Sequence, residues 1–470
     1  MLLNVSRMSA RGIGMRVKNV DMLSGSITKG LLAMTIPIMA MNVMSSLFTI
    51  VDMTALKYFS DDSSVGAIGA CGTLITLFTS LMTGISTGAN IVVAKRIGAK
   101  DRAGADNATA TSILAAIAGG LILMVIGVTF AETFLRMMKC SEALIAKAAT
   151  YFRLYFLGVP IFMFYAFCAS VLRAIGDTKR PMYFLMLAGV VKVIFSLMFL
   201  TLTDLNVEGV AIATIIAQFL ASVLAYITLR RSNDVISVSL KKLRFYKNEL
   251  KEMLFVGIPT GLQHGMYSFA NVVIMTTVNS FGAAATTGVS IANQFDGILY
   301  NVSVAPAVAV MPYVAQNIGA KNIKRVKKII LRAVLITTGF GFTLGSLSAI
   351  FSGQLSSIMS ETPAVIEYSK QKMMLISSTY FICGINEVMG GILKGMGKPI
   401  IPTVATLVFM CLIRFPWVWF IFPLFPQSLT YLYLIWPIGW ILSITTLLIA
   451  YFPAISKLEK NNIQKETATA

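Results

Sequence analysis

Five ionisable side chains, Asp52, Lys192, Asp296, Glu387 and Arg414, sit inside long apolar runs of the chain. Asp52 shows the situation best, as the one aspartate of "SLFTIVDMTALKYF". An ionised group in the middle of a bilayer costs about 2.5–3.5 kcal/mol even on lenient insertion scales. Two arrangements offset that cost. Acids and bases can pair with one another as structural glue, or an acid can take up and release a proton or a cation as its surroundings change. Three acids against two bases leave one negative charge, which suits a path for cations.

The elements that must hold these residues are membrane helices. Of 470 residues, 56% are hydrophobic and 13% charged, and the mean hydropathy is +0.78, so there is too little polar surface to cover a soluble globule. Apolar stretches of about 20 residues recur, long enough as helices to cross a hydrocarbon core of roughly 30 Å. We count twelve, the first starting near Leu31 after a polar segment and read as a retained span. With the N-terminus inside, the inner segments hold 30 Lys and Arg and the outer ones 6, among them Lys370 and Lys372. That bias accounts for the net charge of +19 as a topology signal with some attraction to anionic lipid heads. No soluble domain offers a basic face, so nucleic acid is excluded as a partner.

The five cysteines form no CxxC pair, the single histidine, His264, makes no metal cluster, and no phosphate loop is present. The sequence therefore predicts no cofactor, no metal site and no enzyme. Any transport would draw its energy from an ion gradient.

The chain repeats itself. "VAKRIGAKD" (93–101) returns as "VAQNIGAKN" (314–322) and "LRAIGDTKRP" (172–181) as "LKGMGKPIIP" (393–402), both at a lag of 221, while Ile36-Pro37 returns as Ile258-Pro259 at a lag of 222. A common lag indicates a duplicated six-helix unit. An even number of crossings makes the copies parallel, the plan of two-lobed secondary transporters with substrate bound between the lobes. The expected fold is all-α and integral to the membrane: twelve helices in two six-helix, pseudo-symmetric lobes around a central cavity. The expected divisions are a cytoplasmic tail 1–30, an N-lobe 31–230, a cytoplasmic linker 231–251, a C-lobe 252–455 and a cytoplasmic tail 456–470.

The sequence resembles the multidrug and toxic compound extrusion (MATE) family along nearly all its length. The resemblance rests on "IPIMAMNVMSSLFTIVDM", "GISTGANIVVAKRIGAKD", "LRAIGDTKRP", "GIPTGLQHGMYSFANVVIMTTVNSFG" and "NEVMGGILKGMGKP". It implies alternating access and export of amphipathic, often cationic, small molecules in exchange for protons or sodium ions. By this resemblance Asp52 matches the span-1 aspartate that binds the coupling proton or ion, and Thr214 a span-6 threonine that assists in members binding sodium there. Span 5 departs from the pattern, with Lys192 and Ser196 where members with a well-formed N-lobe site carry Asn and Asp. In the C-lobe, Ser268 stands where some members carry a glutamate for the coupling ion.

Counted at 1.5 Å per residue, Asp52 lies about 10 Å below the outer end of its helix, with Ser196 and Thr214 at similar depth and Lys192 one turn deeper. An ammonium beside Asp52 would occupy the place of a sodium ion, so sodium is disfavoured there and a proton-responsive Asp52–Lys192 pair is expected. Asp296, Glu387 and Arg414 fall near mid-span on helices able to face one cavity, with Glu387 and Asp296 as candidates for a cationic substrate or proton and Arg414 as a fixed partner. The leading expectation is a monomeric plasma-membrane antiporter with small-molecule substrate, H+ (or Na+) and membrane lipid as its partners. The alternatives are a lipid-linked saccharide flippase of the same superfamily and a non-transporting membrane scaffold.

Overall fold

The computed structural model describes residues 19–469 except 60, 61, 139, 141, 204, 233–235, 237–242 and 427. Most of the N-terminal tail and half of the linker therefore lie outside the described residues, as does the side chain of Ser268. The described residues fold into twelve long helical segments and no strands: α1 (Ile27–Phe59), α2 (Asp62–Gly98), α3 (Arg102–Met137), α4 (Glu142–Ala174), α5 (Lys179–Leu202), α6 (Val207–Arg231), α7 (Lys247–Asn279), α8 (Ala283–Gly319), α9 (Ile323–Ile350), α10 in two pieces (Pro363–Ser378 and Tyr380–Gly395), α11 (400–424) and α12 (Leu429–Tyr433 and Ile435–Thr469). Ten of these segments are long and apolar enough to cross a membrane. The two that fall short are α7 and α10. α7 carries Gln263, His264, Asn271 and Thr276, and α10 is interrupted at Thr379 with Glu367, Lys370, Lys372 and Glu387 on its pieces. Of these, Asn271 and Lys372 line a cavity described below.

The two longer duplicated motifs are turns. Lys100 and Lys321 both take the left-handed backbone conformation at φ 57°, closing α2 and α8 with the same pair of backbone bonds: Asp101 N to Arg96 O and Lys100 N to Ile97 O, then Asn322 N to Asn317 O and Lys321 N to Ile318 O. Asp101 and Asn322 next cap α3 and α9, accepting from Gly104 N at 2.8 Å and Arg325 N at 3.2 Å. The second motif does the same with glycine, Gly176 at φ 88° and Gly397 at φ 76°. All four turns lie at the end of the molecule that carries the α6–α7 linker, hereafter the linker end.

α1 to α6 and α7 to α12 form two lobes that meet through α2 on α7, α2 on α8 and α1 on α8. Small residues permit the closest approach. A Cβ on Gly84 would stand 2.2 Å from Gly261 N, and one on Gly88 2.2 Å from Met253 O. Nearer the linker end, Lys95 and Arg96 of α2 pair with Glu252 and Glu249 of α7, each at 3.4 Å. The equivalent residues of the second motif, Gln316 and Asn317 of α8, make neutral contacts to the N-lobe side, donating to Ala174 O at 2.7 Å and Met22 O at 3.0 Å. Among the described residues, the hydrogen bonds and ion pairs between lobes run from mid-helix, where Asn301 donates to Ser46 Oγ at 3.1 Å, to the linker end. At the linker end the lobes are in contact.

Candidate functional site

Each lobe holds a cavity in its far half. The N-lobe cavity, about 560 Å³, is walled by helical stripes: Phe48 and Asp52 of α1, Gly72 and Thr76 of α2, Tyr151 and Tyr155 of α4, Gly189 and Lys192 of α5, Thr214 and Gln218 of α6. These spacings of three and four are one helix face each. Gly189 lets α1 come close, since a Cβ there would collide with the Phe48 ring. That approach carries Asp52, one turn on, against the Lys192 ammonium, with which it forms an ion pair and both side chains are largely buried. The second carboxylate oxygen of Asp52 is buried and has no hydrogen-bond partner. Thr214 Oγ1 donates to Val210 O at 2.8 Å, which leaves its lone pairs to the cavity. Ser196 is buried but does not line the cavity, and its hydroxyl is unpartnered. The structure thus brings Asp52, Lys192 and Thr214 to one wall and leaves Ser196 behind it.

The C-lobe cavity, about 450 Å³, is lined by Tyr267, Asn271 and Met275 of α7, Asn293, Asp296 and Tyr300 of α8, Lys372, Ile376 and Tyr380 of α10, and Tyr433 and Trp436 of α12. Asp296 lies on this wall, but Glu387 and Arg414 do not line it. Asp296 pairs with Lys372, Oδ2 to Nζ 2.9 Å, and its other oxygen is buried without a partner. Lys372 is a correction to the charge count, which assigned it to an outer segment. The helix α10 begins at Pro363 and carries Lys372 inward until it is only 5% exposed. Its signal was present in the spacing, because Lys372, Ile376 and Tyr380 share one helix face. Lys394 was likewise counted as a loop residue and is 3% exposed in the last turn of α10.

Arg414 is 2% exposed and backs the cavity wall. It lies between two widened, π-helical stretches of α11, Leu407–Leu412 and Trp417–Ile421. Among the described residues no carboxylate holds it. Its guanidinium donates to Asn271 Oδ1 at 2.5 Å and sits over the rings of Tyr267 and Trp436, 5.1 and 4.7 Å from their centroids. Glu387 is half-buried behind Tyr267 and Tyr300, within electrostatic reach of both and of Lys394. The expected Asp296, Glu387 and Arg414 cluster is therefore three separate environments, of which only Asp296 meets the cavity directly.

Helices α1 and α5 pair in the N-lobe through Asp52 and Lys192, and their duplicates α7 and α11 pair in the C-lobe through Asn271 and Arg414. A family model, MatE, matches the chain at residues 37–198 and again at 259–420, the second match displaced by 222 residues throughout. The chain belongs to the MATE family. MATE relatives are similar over most of their length. A probable multidrug resistance protein of Bacillus subtilis, YpnP, is 25% identical over 402 residues, covering 85% of this chain and 89% of the relative. The multidrug export protein MepA of Staphylococcus aureus is 22% identical over 374 residues, with 79% and 82% covered. A structure of a multidrug resistance MATE transporter in an outward-facing conformation superposes with a TM-score of 0.86 at 19% identity, covering 94% of this chain and 99% of that one. The molecule is thus a MATE-family membrane transporter with the twelve-helix, two-lobe fold. Its groups of acidic, histidine and cysteine side chains offer no cluster for a metal ion among the described residues.

The Asp296–Lys372 pair has a measurable weight. Asp296→Asn strands a buried ammonium, and thermal unfolding in detergent is expected to show a loss of about 3–5 kcal/mol. The double substitution Asp296→Asn with Lys372→Met is expected to recover most of it.

Proposed function

We propose that this MATE transporter is a plasma-membrane antiporter that exports small amphipathic, cationic molecules in exchange for protons, with Asp52 and Lys192 as the N-lobe switch. The observation that supports it best is the state of Asp52: one oxygen on the ammonium of a different helix, the other bare, at the wall of a cavity. A proton on that bare oxygen would neutralise the carboxylate and release Lys192, loosening α1 from α5. The other titratable groups around Asp52 are the phenols of Tyr151 and Tyr155 and the thiol of Cys71, which ordinarily stay protonated at neutral pH. Sodium fits poorly, because a hard cation needs several oxygen ligands and Lys192 already holds the one carboxylate oxygen that is not bare.

In this reading the linker end and both chain termini are cytoplasmic, in keeping with the basic residues there, and the described conformation faces outward. Alternating access would open the linker end by parting α2 from α7 and α8. The test is ethidium transport in everted membrane vesicles. Uptake driven by an imposed proton gradient is expected to collapse with a protonophore and to be indifferent to replacing sodium by choline. Uptake that persists without a proton gradient would remove proton coupling.

A further inference from the structure

The C-lobe cavity is already occupied by a cation of the protein's own. Lys372 Nζ lies 2.9 Å from Asp296 Oδ2, donates also to Asn293 Oδ1, and stands 5.9 Å from the centre of the Tyr433 ring. Tyr267, Tyr300, Tyr380 and Trp436 complete an aromatic wall around it. We propose that Lys372 is a tethered counter-ion that keeps the place of an organic monocation, and that such a molecule binds in the C-lobe by displacing the ammonium from Asp296. This rests on the transporter reading above and names what selects the substrate at its second cavity.

Three observations carry the inference. Asp296 is the single carboxylate on the described cavity wall, and one of its oxygens is bare. A monocation therefore meets one acid, and that acid keeps one acceptor oxygen unused. The two basic residues beside the cavity differ in freedom: Arg414 is pinned by Asn271 and by two rings, whereas the ammonium of Lys372 ends a flexible four-carbon stem and retains Asn293 and Tyr433 as partners after it leaves Asp296. The third is that the pair is not a relic of duplication. It joins α8 to α10, whereas the N-lobe pair joins α1 to α5, whose copies are α7 and α11. The ion pairs of the two cavities thus join helix pairs that are not duplicates of one another.

A built-in cation changes what the cavity selects. Sodium or potassium would have to displace Lys372 while gaining one carboxylate and losing its own water. An organic cation meets the same competition but also covers the aromatic wall, where burial and cation–π attraction favour it. Lys372 therefore weakens binding of every cation and biases the cavity toward those with apolar surface.

The probe is tetraphenylphosphonium, titrated into the purified full-length protein in detergent without any gradient. All four tryptophans lie in the C-lobe, and Trp436 lines the cavity, so tryptophan quenching reads this lobe. Lys372→Met is expected to bind at least 10-fold more tightly than the parent and to gain thermal stability from the probe. Lys372→Arg, which grips the carboxylate bidentately, is expected to bind more weakly than the parent, and Asp296→Asn is expected to lose binding in either background. Unchanged or weaker binding by folded Lys372→Met, or binding that survives Asp296→Asn, would overturn the proposal. Should Lys372→Met not fold, Lys372→Arg binding as tightly as the parent would overturn it instead. Since no gradient is present, these results stand apart from proton coupling at Asp52: failure here leaves gradient-driven ethidium transport intact, and failure of that transport leaves the titration unaffected.

Discussion

Cells producing Asp52→Asn are expected to retain ethidium as cells without the transporter do, and the residual efflux to be flat with pH across the neutral range. The substitution removes the one group at the N-lobe wall whose charge a proton can cancel there, and leaves Lys192 buried without its carboxylate. Stranding one member of such a pair costs about 3–5 kcal/mol, so loss of folding must be separated from loss of coupling. Asp52→Asn combined with Lys192→Met supplies that control. It is expected to recover thermal stability toward the parent while efflux stays at background. Efflux and pH dependence retained by Asp52→Asn would take the switch away from this residue.

The second large effect is expected at Gly84. A Cβ there falls 2.2 Å from Gly261 N and 2.4 Å from Gly261 Cα, and both obstacles are backbone on another helix that no rotamer change can move. Gly84→Val should therefore prevent the lobes from closing at the linker end and hold the molecule with that end open. The measurement is labelling by an impermeant maleimide, added outside, of a cysteine placed at Thr76 on the N-lobe cavity wall, in a chain whose five native cysteines are replaced. Labelling is expected to fall at least 10-fold, and ethidium efflux with it. Gly339→Val is the control, since a side chain at that position meets nothing within 4 Å. Undiminished labelling in Gly84→Val would mean that the glycine contact is not what seals the linker end.

Hydropathy, charge bias and the lag of the repeat disclosed the membrane helices and their duplication, because bilayer thickness and internal hydrogen bonding leave the backbone few choices. The repeat was also read from short turn motifs, and these proved to be the places where a left-handed residue is required, joined in the first motif by a helix cap, so few residue types serve. The Asp52–Lys192 pair was legible because both residues interrupt strongly apolar runs and depth can be counted along a helix. Lys372 was hidden by the same counting. Its surroundings in sequence are polar, so it read as a loop residue, although its helix turns it inward. Arg414 stood out as an interior charge, yet nothing in its spacing could show that an asparagine and two rings, and no acid, hold it. Ser196 shared the face of Lys192 but lies one turn beyond it, buried off the cavity wall, a packing that hydropathy does not encode. Glu387 and Arg414 lie within reach of one cavity by height alone, and only tertiary packing puts Tyr267 between them and its space.

The two copies of the first duplicated turn have become unlike in one respect. Where Lys95 and Arg96 reach across to Glu252 and Glu249, the second copy offers only amides to backbone carbonyls. Dissolved ions weaken attraction between exposed charges but barely touch a bond between neutral groups. Ionic strength at the linker end therefore acts on one edge of the seal and spares the other, so a molecule built from twin halves is held there by unlike bonds, one edge sensitive to salt and the other indifferent to it.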